Sequence, residues 1–202
     1  MTNRKMIDNV ILLIGRNPGV LAGLAAALVN EGYLVRTTDL VEQASSQFNA
    51  AEINLIAFGR GVDAVTNARL RADFLSQNPE VLFVDGLAPV IPLLVRQIKQ
   101  ALSGNQTVER TLIKFTCQPT RQLEVDVTVT EACRLTIEVY ELDAVHTSHQ
   151  QTLVSTYVSA GTHTFKIDGQ YAVSSTISFL VAGVDNGELL VLPIGPNKPL
   201  QL

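Results

Sequence analysis

The sequence has little cysteine, few aromatic residues and no tryptophan. Only two of its 202 residues are cysteines, and aromatic residues make up 5% of the chain. Two cysteines, Cys117 and Cys133, are too few for a disulfide-stabilised scaffold, and no CxxC or HxxxH pair marks a zinc site. We therefore expect two free, half-buried thiols and no bound metal.

Charge and long hydrophobic runs are also scarce. Charged residues make up 17% of the chain and the net charge is -4, so the basic face that nucleic acids require is absent from the composition. No apolar run approaches the roughly 20 residues of a membrane span, and the run at 10–14 is short for a secretory signal. We expect a cytoplasmic protein that binds neither nucleic acid nor membrane.

The first half of the chain alternates between apolar runs and amphipathic segments. The pattern predicts strands at 10–14, 33–36, 53–58 and 81–84, and helices at 19–30, 40–48, 63–77 and 91–102. Strands that alternate with helices pair in parallel through right-handed crossovers. Residues 1–104 are therefore predicted to form a doubly wound parallel sheet of the flavodoxin or Rossmann type, the α/β part of the fold.

The second half changes to a period of two, which is typical of antiparallel strands. Polar segments such as 143–151 are predicted to be loops, and Asn186-Gly187 favours a two-residue hairpin turn. Residues 105–202 are therefore predicted to be an all-β, immunoglobulin-like antiparallel sandwich. Its seven short strands are predicted at 110–117, 123–129, 135–141, 153–158, 163–167, 177–181 and 189–192.

The first strand is followed by Arg16-Asn17-Pro18 and a helix, within an alternation that spans residues 9–103. This half resembles the receiver domain of response regulators. The resemblance implies phosphoryl transfer to an aspartate after the third strand, beside Mg²⁺ held by an acidic pair after the first. Gly59 stands at the first of these places, and Gly15 with Arg16 at the second. We therefore predict a receiver-like domain that cannot be phosphorylated, in which Asp85 is a lone carboxylate at a strand tip.

A second resemblance, to dinucleotide-binding Rossmann domains, rests on Gly15, Gly19 and Gly23 after the first strand and on Asp39 after the second. It implies pyrophosphate on the 15–23 loop and a ribose hydroxyl on Asp39. The glycine spacing is GxxxGxxxG rather than GxGxxG, and Gly23 also suits close helix packing. Dinucleotide binding remains the alternative to a purely regulatory domain.

In the second half, the segments at 135–140 and 153–154 are followed by Ser-Ala-Gly-Thr-His-Thr-Phe at 159–165 and by Asp168-Gly169. These stretches resemble small immunoglobulin- or fibronectin-like β-sandwich modules of bacterial cell-surface and flagellar-hook-capping proteins. The resemblance implies a fold and carries no activity.

Catalytic motifs are missing from both halves. The sequence has no GxSxG elbow and no YxxxK pair, and His146, His149 and His163 fit solvated positions. Arg60 stands between Gly59 and Gly61 at a predicted sheet edge, where an arginine could hold a phosphate or a carboxylate. We predict no catalytic residue and no cofactor, with candidate ligand-binding residues at Gly15, Arg16, Gly19, Asp39, Gly59, Arg60 and Asp85.

These observations favour a non-catalytic regulatory or scaffolding protein that acts through a protein partner. The predicted helix at 91–102 carries an apolar stripe that includes Leu93, Leu94 and Ile98. Because symmetric dimers are the commonest oligomers, we predict a homodimer. Its interface would involve this helix near Leu93 or an exposed sheet edge of the second half.

Overall fold

The computed structural model describes residues 9–86, 90–103, 110–119, 123–143, 147–167 and 177–194. The chain divides into two compact units, Met1–Gly104 and Asn105–Leu202, which we call the α/β unit and the β unit. Among the helices of the described ranges, none combines the length and apolarity needed to cross a membrane.

The α/β unit contains a four-stranded, fully parallel sheet in the order β2-β1-β3-β4. A strand order that begins 2-1-3 is that of flavodoxin-like folds, so the predicted flavodoxin/Rossmann-like parallel sheet is confirmed. The strands are β1 (Val10–Ile14), β2 (Leu34–Thr38), β3 (Leu55–Phe58) and β4 (Leu82–Asp85). The helices are α1 (Pro18–Asn30), α2 (Ala44–Gln47), α3 (Ala64–Gln77) and α4 (Ile91–Leu102).

Helices cover both faces of this sheet. Ile11 and Leu13 of β1 pack in one hydrophobic cluster with residues of α1 and α4. Leu12 and Ile14 pack in a second cluster with residues of α2 and α3. Successive side chains of a strand point to opposite faces, so a strand covered on both sides must be apolar throughout. This explains the continuous run at 10–14.

Short polar side chains begin the two helices that flank the sheet edge. Asn17 caps α1 by accepting a hydrogen bond from the Val20 N–H at 3.1 Å. Asp63 caps α3 in the same way, by accepting a hydrogen bond from the Thr66 N–H at 2.9 Å. A Cβ on Gly23 would lie 2.7 Å from Ile91 Cδ1, so this glycine allows α1 and α4 to approach closely.

The helix predicted at 40–48 is wrong in length. A 3-10 turn, Val41–Gln43, leads into the single turn of α2. The fully buried residues of this segment are Val41 and Ala44, three positions apart. Side chains three apart lie above one another in a 3-10 turn, which is sufficient to bury this pair.

The β unit consists of two antiparallel sheets whose residues form one hydrophobic core. One sheet has the order β5-β6-β9 and the other β11-β10-β7-β8. The alternating burial of β6 shows why the period of two predicted this arrangement. The strands are β5 (Leu112–Pro119), β6 (Leu123–Val129), β7 (Cys133–Leu142), β8 (Ser148–Val158), β9 (Gly161–Ile167), β10 (Ile177–Val184) and β11 (Leu189–Ile194).

Two local predictions in the β unit need correction. The predicted loop at 143–151 is wrong from Ser148 onward, because β8 pairs with β7 from there, with a register shift opposite Ile137 and Glu138. As an edge strand, β8 tolerates the polar residues that made this segment resemble a loop. The hairpin at Asn186-Gly187 has three loop residues instead of two, and Gly187 adopts φ +90°. The Asp168-Gly169 turn lies outside the described residues.

Candidate functional site

Three strands of the parallel sheet are each followed at once by a glycine. Gly15 follows β1, Gly59 follows β3 and Gly86 follows β4. The Gly59 N–H donates to the Ile14 carbonyl at 2.8 Å, and the Gly86 N–H donates to the Phe58 carbonyl at 2.7 Å. The sheet ladder therefore continues one residue beyond the strands and brings the three glycines side by side at the carboxyl edge.

A side chain at Gly86 would crowd its neighbours, whereas one at Gly59 would make an ordinary contact with the backbone. A Cβ on Gly59 would lie 3.4 Å from Gly15 Cα. A Cβ on Gly86 would lie 3.1 Å from the Phe58 carbonyl oxygen and 3.3 Å from Leu94 Cδ2. Gly86 therefore permits close packing at the end of β4, and the three glycines leave the positions directly after β1, β3 and β4 without side chains.

A cavity of about 250 Å³ lies at this edge. Its apolar wall includes Leu13, Ala57 and Val84 from the sheet and Leu21, Leu24 and Leu94 from α1 and α4. Its polar lining residues, Arg16, Asn17 and Arg60, are all exposed. The cavity thus has an apolar interior and a polar rim. It opens where β1 and β3 meet, which is the switch point at which open α/β sheets bind ligands.

Arg16, on the rim, is held by partners within the unit. Its Nε donates to the Gly61 carbonyl at 3.1 Å, and its Nη2 donates to Glu42 Oε1 at 2.6 Å. The hydrogen bond to Glu42 raises the pKa of Arg16 and lowers the pKa of Glu42. A second carboxylate, that of Asp63, lies 3.8 Å away. The charge of Arg16 is therefore compensated, and its side chain joins three loops of the edge.

Arg60, like Arg16, is exposed and lines the cavity, but it differs from Arg16 in its partners. Within the described ranges its side chain makes no ion pair and no hydrogen bond. Its guanidinium is therefore the uncompensated cation of the rim, with all its N–H groups available to an anion from solvent.

Asp85 lies at the end of β4 but is absent from the cavity lining. Its carboxylate accepts hydrogen bonds from Arg71 at 2.7 Å and from Asn67 at 2.9 Å. The Arg71 guanidinium lies 4.6 Å from the centre of the Phe83 ring and 5.5 Å from that of Phe58. Asp85 is therefore bonded to two side chains of α3, and it does not form a ligand site together with Arg60.

Gly19 and Asp39 are also absent from the cavity lining. Gly19 is the second residue of α1, between Pro18, which has no N–H, and Val20, whose N–H is bonded to Asn17. Few donors of this helix terminus are therefore available to a pyrophosphate. Asp39 is exposed directly after β2.

The structure therefore brings together four of the seven predicted site residues: Gly15, Arg16, Gly59 and Arg60. Gly86, which the sequence places at the same edge as Gly15 and Gly59, also lines the cavity, although it was not among the predicted site residues. Leu94 lines it as well, and no sequence signal points to it, because its position depends on how α4 packs.

Among the described residues, which do not include His146, the other reactive side chains do not form a site. His149 Nε2 lies 2.9 Å from Asp143 Oδ2, and His163 Nε2 lies 2.8 Å from the Ser159 carbonyl. Burial raises the pKa of both Cys117 and Cys133, which are free thiols. Across the described ranges, no three His, Cys, Asp or Glu residues cluster in a way that could hold a metal.

Fold and site together define a flavodoxin-like α/β unit with a pocket at its switch point, followed by an antiparallel β unit. No protein-family model and no curated protein sequence matches the chain. Among solved structures it is similar to a GH3 β-glucosidase of Bifidobacterium adolescentis, with 12% identity over 98% of this chain and a TM-score of 0.32. This chain spans about half of the β-glucosidase, 51% of its length.

It is also similar to an NAD kinase from Archaeoglobus fulgidus determined in complex with ATP. That match has 10% identity, covers 93% of this chain and 85% of the kinase chain, and has a TM-score of 0.33. TM-scores this low carry no argument about the function of this chain.

Proposed function

We propose that the chain is a non-catalytic regulatory or scaffolding protein that acts through contacts with a protein partner, and that its α/β unit is a receiver-like domain without phosphorylation chemistry. The observation that carries the proposal is the chemistry of the carboxyl edge. Gly15 and Arg16 follow β1, and Gly59 and Arg60 follow β3, where the receiver resemblance calls for carboxylates.

Asp39 and Asp85, the two predicted site residues that carry carboxylates, are too far apart to act together, and Glu42 and Asp63 are both engaged with Arg16. Asp39 follows β2 and Asp85 ends β4, and these are the two outer strands of the sheet. Three strand spacings of about 4.8 Å place them roughly 14 Å apart. Mg²⁺ binds its oxygen ligands at about 2.1 Å, so the pair cannot share one ion.

The features of the β unit support an interaction module. Its two antiparallel sheets share one core, as an immunoglobulin- or fibronectin-like sandwich requires. Of its buried carboxylates, Glu188 accepts hydrogen bonds from backbone N–H groups and Glu138 accepts one from the Gln150 amide. The raised pKa values of its two thiols make them poor nucleophiles. Surface contact is the activity that remains for such a module.

Incubation with acetyl phosphate and Mg²⁺, followed by intact mass spectrometry, tests the absence of phosphorylation chemistry. We expect no added phosphoryl group. An acid-labile adduct that is lost in Asp85→Asn or in Asp39→Asn would overturn the proposal and would identify the acceptor.

The proposed homodimer needs a different interface from the predicted one at Leu93. Leu93, Leu94 and Ile98 are buried, with 2%, 7% and 0% exposure, so this face of α4 packs inside the α/β unit. Leu93→Glu would therefore disrupt folding. The edge of β8 is the better candidate, because residues 148–158 carry no Lys, Arg, Asp or Glu and Tyr157 is 75% exposed. Light scattering should show a dimer that Tyr157→Lys weakens, and a monomer at about 100 μM would exclude it.

Dinucleotide binding by the 15–23 loop and Asp39 is the second candidate function. The position of the cavity at the switch point favours this function. Two observations count against it: the N-terminus of α1 is capped by Asn17, and Asp39 does not line the cavity. Titration with NAD distinguishes the two proposals. Saturable binding below about 100 μM that Asp39→Ala abolishes would favour the dinucleotide site.

A further inference from the structure

We propose that the cavity at the carboxyl edge binds a small amphipathic anion, with its apolar tail between the sheet and helices α1 and α4 and its anionic head at Arg60. The ligand class is a short-chain carboxylate or alkyl phosphate. The proposal stands on the cavity and on the free guanidinium, and it does not depend on whether the chain is catalytic.

The volume of the cavity sets the size of the tail. At about 30 Å³ for each non-hydrogen atom, a cavity of about 250 Å³ holds roughly eight such atoms. A six-carbon carboxylate fills that space, whereas most of a dinucleotide would lie outside it. The inner wall requires an apolar tail, because Leu13, Leu24 and Ile98 line the cavity and are almost fully buried.

The rim sets the charge of the head. The charged residues that line the cavity are Arg16 and Arg60, and no acid is among the lining residues. Glu42 already compensates Arg16, which leaves the charge of Arg60 for a ligand. A carboxylate or phosphate takes two parallel N–H donors from one guanidinium, and this geometry favours an anion over a neutral polar head.

The N-terminus of α1 also favours an anionic head group. The first turn of this 13-residue helix has no acidic residue, so the positive end of its dipole is not offset locally. Asn17 uses its Oδ1 as the helix cap, and its Nδ2 donates no hydrogen bond within the described part of the chain. Asn17 lines the cavity with Arg60 and provides a second donor at the rim.

Titration of the full chain with hexanoate tests the proposal, followed by ¹H–¹⁵N spectra. We expect saturable shifts of the Gly15, Gly59 and Gly86 amides with a dissociation constant below about 1 mM. Hexylamine has the same tail and the opposite charge, and acetate has the head without the tail. Both should bind at least about tenfold more weakly than hexanoate. Hexyl phosphate distinguishes the two head groups, and tighter binding of either anion supports the proposal.

Three variants connect the binding to named residues. Arg60→Gln should weaken hexanoate about tenfold and leave the neutral hexanol unchanged, because only the anionic head contacts the guanidinium. Val20→Phe, which adds bulk at the partly exposed lining, should weaken hexanoate and hexanol alike. Arg36→Gln removes an equal charge outside the cavity, from an arginine paired with Glu52, and should change neither.

Equal binding of hexanoate and hexylamine, or hexanoate binding unaffected by Arg60→Gln, would overturn the proposal. So would the absence of any shift at the three glycines. None of these results bears on the acetyl phosphate experiment, so the ligand proposal and the proposed regulatory function fail independently.

Discussion

One polar group in each unit, Glu188 in the β unit and Arg60 in the α/β unit, shows an opposite environment. In the β unit, the buried carboxylate of Glu188 accepts hydrogen bonds from the Thr111 and Leu112 N–H groups and from the Asn186 amide. In the α/β unit, Arg60 stands at the rim of an open cavity and makes no ion pair or side-chain hydrogen bond within the described ranges. Glu188 joins β5 to the β10–β11 hairpin, whereas Arg60 remains accessible to solvent.

This difference indicates which unit binds small ligands. A buried group whose hydrogen bonds are all internal stabilises the fold and has no capacity left for a ligand. A cation beside an apolar cavity keeps its hydrogen-bonding capacity and adds little to stability. Ligand recognition is therefore expected in the α/β unit, and the β unit is expected to act through its surface.

Separating the two units is the most severe test of the comparison. The α/β clusters draw on residues 11–98 and the β cluster on residues 112–194, so each unit has its own core. Fragments 1–104 and 105–202, expressed alone, should each unfold cooperatively in urea. If both fragments are molten, the units depend on each other for folding, and they cannot be compared as independent units.

Glu188→Ala should give the largest effect of a single substitution. Glu188 is 7% exposed, and its oxygens lie 3.2 Å from Thr111 N and 2.9 Å from Leu112 N. Its removal leaves two buried N–H groups without acceptors, which costs about 2–4 kcal/mol of unfolding free energy. Urea denaturation of the 105–202 fragment measures the loss.

Glu188→Gln retains one acceptor oxygen and should lose less stability than Glu188→Ala. Glu124→Gln is the matched control, because Glu124 is 37% exposed and its nearest cation, Lys166, lies 3.7 Å away. Its effect should stay within about 1 kcal/mol. A Glu188→Ala loss no larger than that of the control would show that the carboxylate does not join β5 to the β10–β11 hairpin.

Gly86→Ala should destabilise the α/β unit by about 1–3 kcal/mol, because the new Cβ lies 3.1 Å from a backbone oxygen that cannot move freely. Gly61→Ala is the control, since the nearest atom to its Cβ is Arg16 Cβ at 3.7 Å, and its effect should stay within about 0.5 kcal/mol. Thermal unfolding of both variants measures the difference. Equal stability would show that the strand ends do not require glycine for packing.

The elements of the α/β unit were largely predictable from the sequence because strands covered on both faces leave continuous apolar runs. The run at 10–14 and the helix at 91–102 match the structure residue for residue. The segment at 148–152 was not predictable, because an edge strand has one unpaired side and needs no apolar alternation. For the same reason the pairing of β8 with β7 had no local signal.

Part of the site was predictable, and the missing part has a physical cause. Glycines after buried strands indicated Gly15 and Gly59, and the rule for open α/β sheets placed Arg60 at the ligand-binding edge. The pairing of Arg16 with Glu42 and of Asp85 with Arg71 could not be foreseen, because each joins residues from different loops or elements. Which arginine stays free is decided by these contacts and not by spacing along the chain.

The smallest expected effect is a pH dependence of the stability of the α/β unit, which should distinguish Arg16 from Arg60. The hydrogen bond from Arg16 lowers the pKa of Glu42 below its ordinary value of 4.5. A hydrogen bond from the Thr66 backbone N–H lowers the pKa of Asp63 below 3.8. A carboxyl whose pKa is lower in the folded state stabilises the fold above its unfolded pKa, and this contribution disappears as the pH falls through the folded pKa.

Urea midpoints of the wild-type α/β unit and of Glu42→Gln should therefore differ at pH 7 and converge as the pH falls through the lowered, folded-state pKa of Glu42. Arg16→Gln should show the same convergence, because it removes the partner of the same carboxylate. The urea midpoints of Arg60→Gln and of the exposed control Glu80→Gln should differ from the wild-type midpoint by a constant amount at every pH, since neither residue takes part in an ion pair within the described ranges. Convergence in Arg60→Gln would mean that Arg60 also pairs with an acid of the fold, and its charge would then not be free for a ligand.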